Sequence, residues 1–158
     1  MNIQGAADLI QVFGRWPSFH DAEVIRCVLE RADSHGAGPS IGADVHVFEM
    51  SREVGTDGAY VLKNHRLVSF RFAGVDKVSL DGFNHQNVLS ALAILDIRDR
   101  QMESLKYEVK FISSFGMGAR FLCREVTIER VRLWEQSGEN AEYPRQSHPR
   151  PGRYEPPS

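Results

Sequence analysis

Apolar positions repeat with a helical period near the start of the chain and with a period of two along most of the remainder. Ala6, Leu9, Ile10 and Phe13 fall at i, i+3, i+4 and i+7, one face of a short helix that Gly14 and Pro17 bring to an end. Ile25, Cys27 and Leu29 alternate with Arg26, Val28 and Glu30, and Ile41, Ala43, Val45 and Val47 alternate with Gly42, Asp44 and His46. Both segments read as strands, the second half-buried. Gly55-Thr56-Asp57-Gly58 turns the chain into a strand over 59–62, Asn64-His65 turns it again, and Val68, Phe70 and Phe72 mark the next strand, with a short one at Val78 and Leu80. Turns this short favour an antiparallel meander, because parallel pairing needs long crossovers. Val88, Leu89, Leu92 and Leu95 return to helical spacing, with Asn84 as N-cap, and predict a helix near residues 84–95. Strands over 105–112 and 120–134, joined by a glycine-bearing loop at 113–118, close the pattern. The expectation is an α+β fold: a single domain over 1–135, mainly antiparallel β-sheet, with a short N-terminal helix and the helix near 84–95 packed on one face.

Composition changes that picture at one end. Five of the seven prolines, at 144, 149, 151, 156 and 157, lie where aliphatic residues are nearly absent. The segment 136–158 therefore reads as a Pro-rich, disordered tail with too little apolar surface to offset its ordering entropy. A formal net charge of −2 over 158 residues lacks the concentrated basic field that a nucleic acid or an acidic membrane surface requires. No apolar run has the length of a membrane span and no secretion signal is evident, so the expected location is the cytoplasm. Oligomeric state is left open. Cys27 and Cys123 sit among apolar neighbours without a Cys-x-x-Cys spacing, which reads as unpaired, buried thiols rather than a disulfide or a zinc site.

Candidate chemistry concentrates in two dense polar runs. In Trp16-Pro17-Ser18-Phe19-His20-Asp21-Ala22-Glu23, a metal or acid–base site would use His20, Asp21 and Glu23, with His46, Glu49, His65 and His85 as further donors. In an extended segment, however, His20 and Asp21 point to opposite faces, and no His-Glu-x-x-His pair is present. The competing reading makes the run a structural corner, with His20 and Asp21 satisfying backbone groups above Trp16 and Phe19. Phe83-Asn84-His85-Gln86-Asn87-Val88 is the second run; no nucleophile stands beside it in sequence, and it reads as a cap and amide network. Gly116-Met117-Gly118 is too short for a phosphate loop. Arg120, Arg124, Arg130 and Arg132, alternating with Glu125 and Glu129, read as a solvated strand face. No catalytic residue, metal ligand or cofactor is assigned.

Four segments carry a family resemblance. The run from Phe13 to Val24, Val47-Phe48-Glu49-Met50, and Gly82 to Val88, together with Phe121-Leu122-Cys123, are similar to the immunity protein 50 family. The likeness runs from about Phe13 to Ile128. It implies a non-catalytic bacterial antidote of a polymorphic-toxin system, binding a cognate toxin in the cytoplasm.

The residues thus support three readings. The first is an immunity protein whose toxin contacts lie on Glu23, Asp44 and Glu49, with His46 and the exposed part of Trp16 nearby. In that reading Trp16, Pro17, Phe19, His20, Asp21, Phe83, Asn84 and Asn87 serve the fold. The second is a small metal-dependent or acid–base hydrolase built on His20, Asp21 and Glu23. The third is a stand-alone interaction module.

Overall fold

The alternation along the chain becomes strands, and in the computed structural model, which describes residues 2–33, 35–36 and 38–134, the strands form one sheet. Helix α1 (Ala6–Phe13) precedes β1 (Glu23–Glu30), β2 (Ser40–Val54), β3 (Tyr60–Ala73), β4 (Asp76–Asp81), β5 (Val88–Asp96), β6 (Tyr107–Phe115), β7 (Gly118–Cys123) and β8 (Glu125–Leu133), with a 3-10 turn at Arg98–Arg100. The strand order is β4-β7-β6-β5-β1-β2-β3-β8, and every pair is antiparallel. The Pro-rich segment 136–158 lies outside the described residues.

The order divides the sheet into two four-stranded halves. One consists of the contiguous run β4 to β7; the other is β1, β2 and β3 with β8. Chain passes between the halves at Gly74-Val75 and at Arg124, and the two crossings are joined by Arg124 N–H donating to Ala73 O at 2.9 Å. Because β3 leads directly into β4 and β7 into β8, the two ends of the sheet must lie close together, so the sheet is folded over with its apolar faces inward. Aromatic rings span that interior: Phe72 of β3 meets Phe121 of β7 at 5.0 Å and Phe111 of β6 at 6.0 Å between centroids. Phe70 stacks on Phe72 at 5.7 Å and touches Phe19 at 5.8 Å. Helix α1 buries Leu9, with Ala6 and Phe13 packed against the same core, and Gly14 N–H bonds Ile10 O at 2.7 Å where the helix ends. Just before it, Gly5 holds a φ of +85°, and a Cβ there would lie 2.1 Å from Ile128 O, so only glycine lets the helix start against β8.

Mainly antiparallel sheet with a short N-terminal helix is the expected architecture, and three local expectations are corrected. The helix near 84–95 is strand β5. Its buried residues Leu89, Leu92 and Ile94 owe their uneven spacing to register shifts at Val88/Leu89 and Leu89/Ala91, and such bulges imitate a helical period. Asn84 caps no helix. The turn expected at Asn64-His65 is a kink inside β3, where Asn64 takes a φ of 54° and pairing moves from Lys63↔Glu49 to Arg66↔Val47. The single strand expected over 120–134 is two, β7 and β8, interrupted at Arg124 and placed in different halves.

Candidate functional site

Both dense polar runs converge on the seam between the halves. Only one register pair, Glu23↔Val88, joins β1 to β5. It is extended by Asp21 N–H to Leu89 O at 2.9 Å, Leu89 N–H to Ala22 O at 2.8 Å and Val24 N–H to Asn87 O at 2.8 Å. A turn closed by Ala22 N–H to Phe19 O precedes this pairing, with Phe19 and Asp21 both in the left-handed region at φ 56° and 63°. Asp tolerates that region, whereas for a buried phenylalanine it is a strained exception held in place by the surrounding core. His20 lies within the same turn, its Nδ1 3.1 Å from Ser90 O and its Nε2 3.7 Å from an Asp21 carboxylate oxygen. The extended geometry that would have separated His20 from Asp21 is therefore absent. His20 does reach a backbone carbonyl; the Asp21 carboxylate stays 42% exposed and helps the corner through its main chain.

Across the seam, Asn87 is the buried polar hub. Its Oδ1 accepts from Asn84 N–H and Met117 N–H, both at 3.0 Å, and its Nδ2 donates to Asn84 O at 2.8 Å. Asn84 Oδ1 accepts from Gln86 N–H at 2.8 Å, an Asx turn in place of the predicted cap. Gly116 closes the knot from the β6–β7 hairpin. At its φ of +76°, a Cβ would lie 2.2 Å from Gln86 O and 2.8 Å from Asn87 Oδ1. Pro17 is buried beside the corner, Trp16 lies 5.6 Å from Phe19 against the core, and Phe83 is exposed.

A second group lies on the outer face of the β1–β2–β3–β8 half. Val45 and Val47 point inward, so His46 between them points out, and Glu23, its cross-strand partner, shares that face. Asp44 accepts from Ser69 Oγ at 2.7 Å and lies 3.9 Å from Arg26. His46 Nε2 is 3.0 Å from His65 Nδ1, and its ring stacks on Trp134 at 4.4 Å and meets Phe48 at 5.7 Å. Burial, reinforced by His65, pushes the His46 imidazole down to about 4 from its ordinary 6.5. Burial raises the Glu23 carboxyl, opposed by a backbone hydrogen bond from Asn87. Glu49 is exposed and accepts from Asn64 Nδ2 at 2.9 Å. Among the described residues neither Glu23 nor Glu49 has an ion-pair partner. Glu108 in the other half is the opposite case, a buried carboxylate held by Arg120 at 2.7 Å, Lys110 at 3.4 Å and Arg100 at 3.5 Å, which keeps its pKa low. Trp16 packs toward the core, and Glu49, two residues beyond inward-pointing Val47, does not share the outer face of Glu23, Asp44 and His46.

Sequence reasoning missed the far part of the β2–β3 hairpin. Beyond the end of the β1 and β8 pairings, Glu49↔Lys63, Met50↔Leu62 and Val54↔Tyr60 pair, among the described residues, only with each other. Taking 59–62 and 68–72 as separate strands hid this ribbon, and the register shift between Met50 and Val54 defeats counting outward from the turn at 55–58.

These placements bound the chemistry available. His20 and Asp21 stand at the seam corner while Glu23 faces His46, so the three do not converge on a common point. Among the described residues no group of three or more His, Cys, Asp and Glu side chains is placed to hold a metal ion. Cys123 is buried, which pushes its thiol up to about 12, and the half-buried Cys27 is also raised, so neither favours the thiolate. No helix of the described residues is long and apolar enough to cross a membrane.

Fold and seam together define a folded-over, single-sheet α+β protein whose two polar motifs close the junction between its halves. The model of the family described as Immunity protein 50 matches residues 5–134, and the chain belongs to that family. No curated protein and no solved structure matches it.

Proposed function

We propose that this chain is a non-catalytic immunity protein that binds a cognate toxin of a polymorphic-toxin system in the bacterial cytoplasm and blocks its active site or its access to substrate. Membership of the Immunity protein 50 family over 5–134 is the observation that carries this reading. The use of both polar motifs in the seam supports it, since their hydrogen-bonding groups hold the fold together. The contact surface is the outer face of β1 and β2 and the adjoining far part of the β2–β3 hairpin at Glu49. Glu23 and Glu49 offer it negative charge, His46 an aromatic edge, and Asp44, tied to Ser69 and Arg26, a fixed neighbour. Carboxylates without an ion-pair partner among the described residues favour a basic partner surface and speed association in a salt-sensitive way.

The test is rescue. Co-expression with the toxin encoded by the neighbouring gene should restore growth, and Glu49→Lys should weaken rescue at equal expression without lowering the melting temperature. Full protection by Glu49→Lys removes this surface; failure of the parent chain to bind or neutralise the toxin removes the immunity reading for that pair.

A further inference from the structure

We infer that the free part of the β2–β3 hairpin, residues 49–63, is the arm that enters the toxin, its apolar face filling an apolar cleft with a basic rim. The inference rests on the immunity reading and adds to it the element that makes the contact. Cross-strand partners share a face, so Met50 lies beside Leu62 and Val54 beside Tyr60; Tyr60 and Leu62, two residues apart, point the same way. These four side chains form one continuous apolar face, each between 40% and 63% exposed. A two-stranded ribbon is marginal in water unless such a face is covered, and an exposed apolar face of this kind suits a partner.

The opposite face carries Glu49 and Lys63 side by side. Lys63 Nζ binds Glu53 at 3.1 Å, and the turn is fastened by Gly55 N–H to Ala59 O at 2.7 Å and Ala59 N–H to an Asp57 carboxylate oxygen at 3.0 Å. The ribbon can therefore be desolvated without stranding the Lys63–Glu53 pair. Its root is stiff, clamped by the stacked rings of His46, His65 and Trp134 and by Trp134 N–H to His65 O at 3.2 Å. Glu49, at that root, and Glu23, opposite His46, bring the carboxylates that call for a basic rim on the partner. Register shifts at Val47/Glu49 and Met50/Val54 distort the β2 edge, which disfavours strand-to-strand addition of a second copy and leaves side-chain insertion as the mode of contact.

The probe is the toxin domain encoded by the neighbouring gene, purified in inactivated form and titrated calorimetrically into the full-length chain. Tyr60→Ser with Leu62→Ser should weaken binding roughly 30-fold or more, as loss of central anchors does. The melting temperature should be unchanged, because neither side chain belongs to the core. Met50→Ser alone should weaken binding less, and Glu49→Lys should reduce both the association rate and its salt dependence. Equal affinity of the Tyr60/Leu62 variant and the parent overturns the arm and leaves the immunity reading standing. A parent that does not bind overturns the immunity reading, and the arm with it. A dimer seen by light scattering that the Tyr60/Leu62 changes dissociate, with toxin binding intact, makes a second copy the occupant and overturns the assignment to the toxin.

Discussion

The seam at Asp21–Val24 and Asn84–Leu89 and the ribbon at 49–63 solve opposite problems with the same antiparallel pairing. At the seam the main chains of the two halves are joined by a run of short hydrogen bonds, the hub amide of Asn87 is buried, and glycine is required where the β6–β7 hairpin presses against it. Along the ribbon, pairing is confined to two strands, the register slips, and apolar side chains face outward. The segments that make this family recognisable thus include the seam, where substitutions damage folding. The face free for a partner lies in a stretch whose sequence carries little of the motif. Recognition of the family and recognition of the contact are separate inferences.

The comparison can be broken most severely at Gly116. Gly116→Ala places a methyl group against Gln86 O and Asn87 Oδ1 in a left-handed backbone, and should cost about 3 kcal/mol or more or prevent cooperative folding. A denaturant titration that gives the parent midpoint would mean the hairpin can shift away from the seam.

Asn87→Ala comes next. It leaves the Met117 and Asn84 main-chain donors unpaired in a buried site and should destabilise by about 2–3 kcal/mol in the same titration. An effect below about 0.5 kcal/mol would show that water replaces the amide at little cost.

The third test concerns the ribbon's root. The folded state holds the His46 pKa at about 4, below its ordinary 6.5, so the unfolded chain binds more protons between these values. The stabilisation is complete above pH 6.5 and is lost as pH falls toward 4; for a partly exposed ring it should amount to about 1–2 kcal/mol. The His46 ring lies 3.0 Å from His65 Nδ1, and Glu23 opposite His46 would offset part of the charge that protonating His46 brings. His46→Phe keeps a ring against Trp134 and should flatten this limb of the stability–pH profile. An unchanged slope would assign it to other groups.

The smallest effect is expected at Asp21. With its carboxylate exposed and its role carried by the main chain, Asp21→Gly should change stability by less than about 1 kcal/mol, because glycine accepts the same φ. A larger loss would give the His20–Asp21 contact a structural weight that its 3.7 Å separation does not suggest.

Where burial alternates without interruption, as from Ile41 to Val47, sequence pattern and structure coincide, and the same holds for α1 with its apolar face and terminal glycine. Legibility fails at bulges. Three-residue steps in β5 read as helix, and the kink at Asn64 reads as a turn; in each case an inserted residue changes the phase of an otherwise regular strand. The candidate contact group was half legible. Glu23, Asp44 and His46 share the outer side because alternation from Val45 to Val47 fixes it, while Glu49, two residues beyond Val47, falls on the other side and Trp16 lies in a loop that carries no such phase. The apolar face of the ribbon was invisible to an argument that weighs charge and seeks apolar residues only in the core.

Because β4 through β7 form an unbroken run, Asp76–Cys123, whose entry and exit are fastened by Arg124 N–H to Ala73 O, the order of events during folding is constrained. β8 cannot align on β3 until roughly fifty residues have been gathered between them, a closure that costs on the order of 3–4 kcal/mol if the run is still coil. If the run collapses first, through the local β5–β6 and β6–β7 hairpins, its ends arrive already adjacent and the closure shrinks to a short step. The fast route therefore begins in the middle of the chain, and nascent chains released before Cys123 has been made would hold the β2–β3 hairpin without the strand that completes its edge.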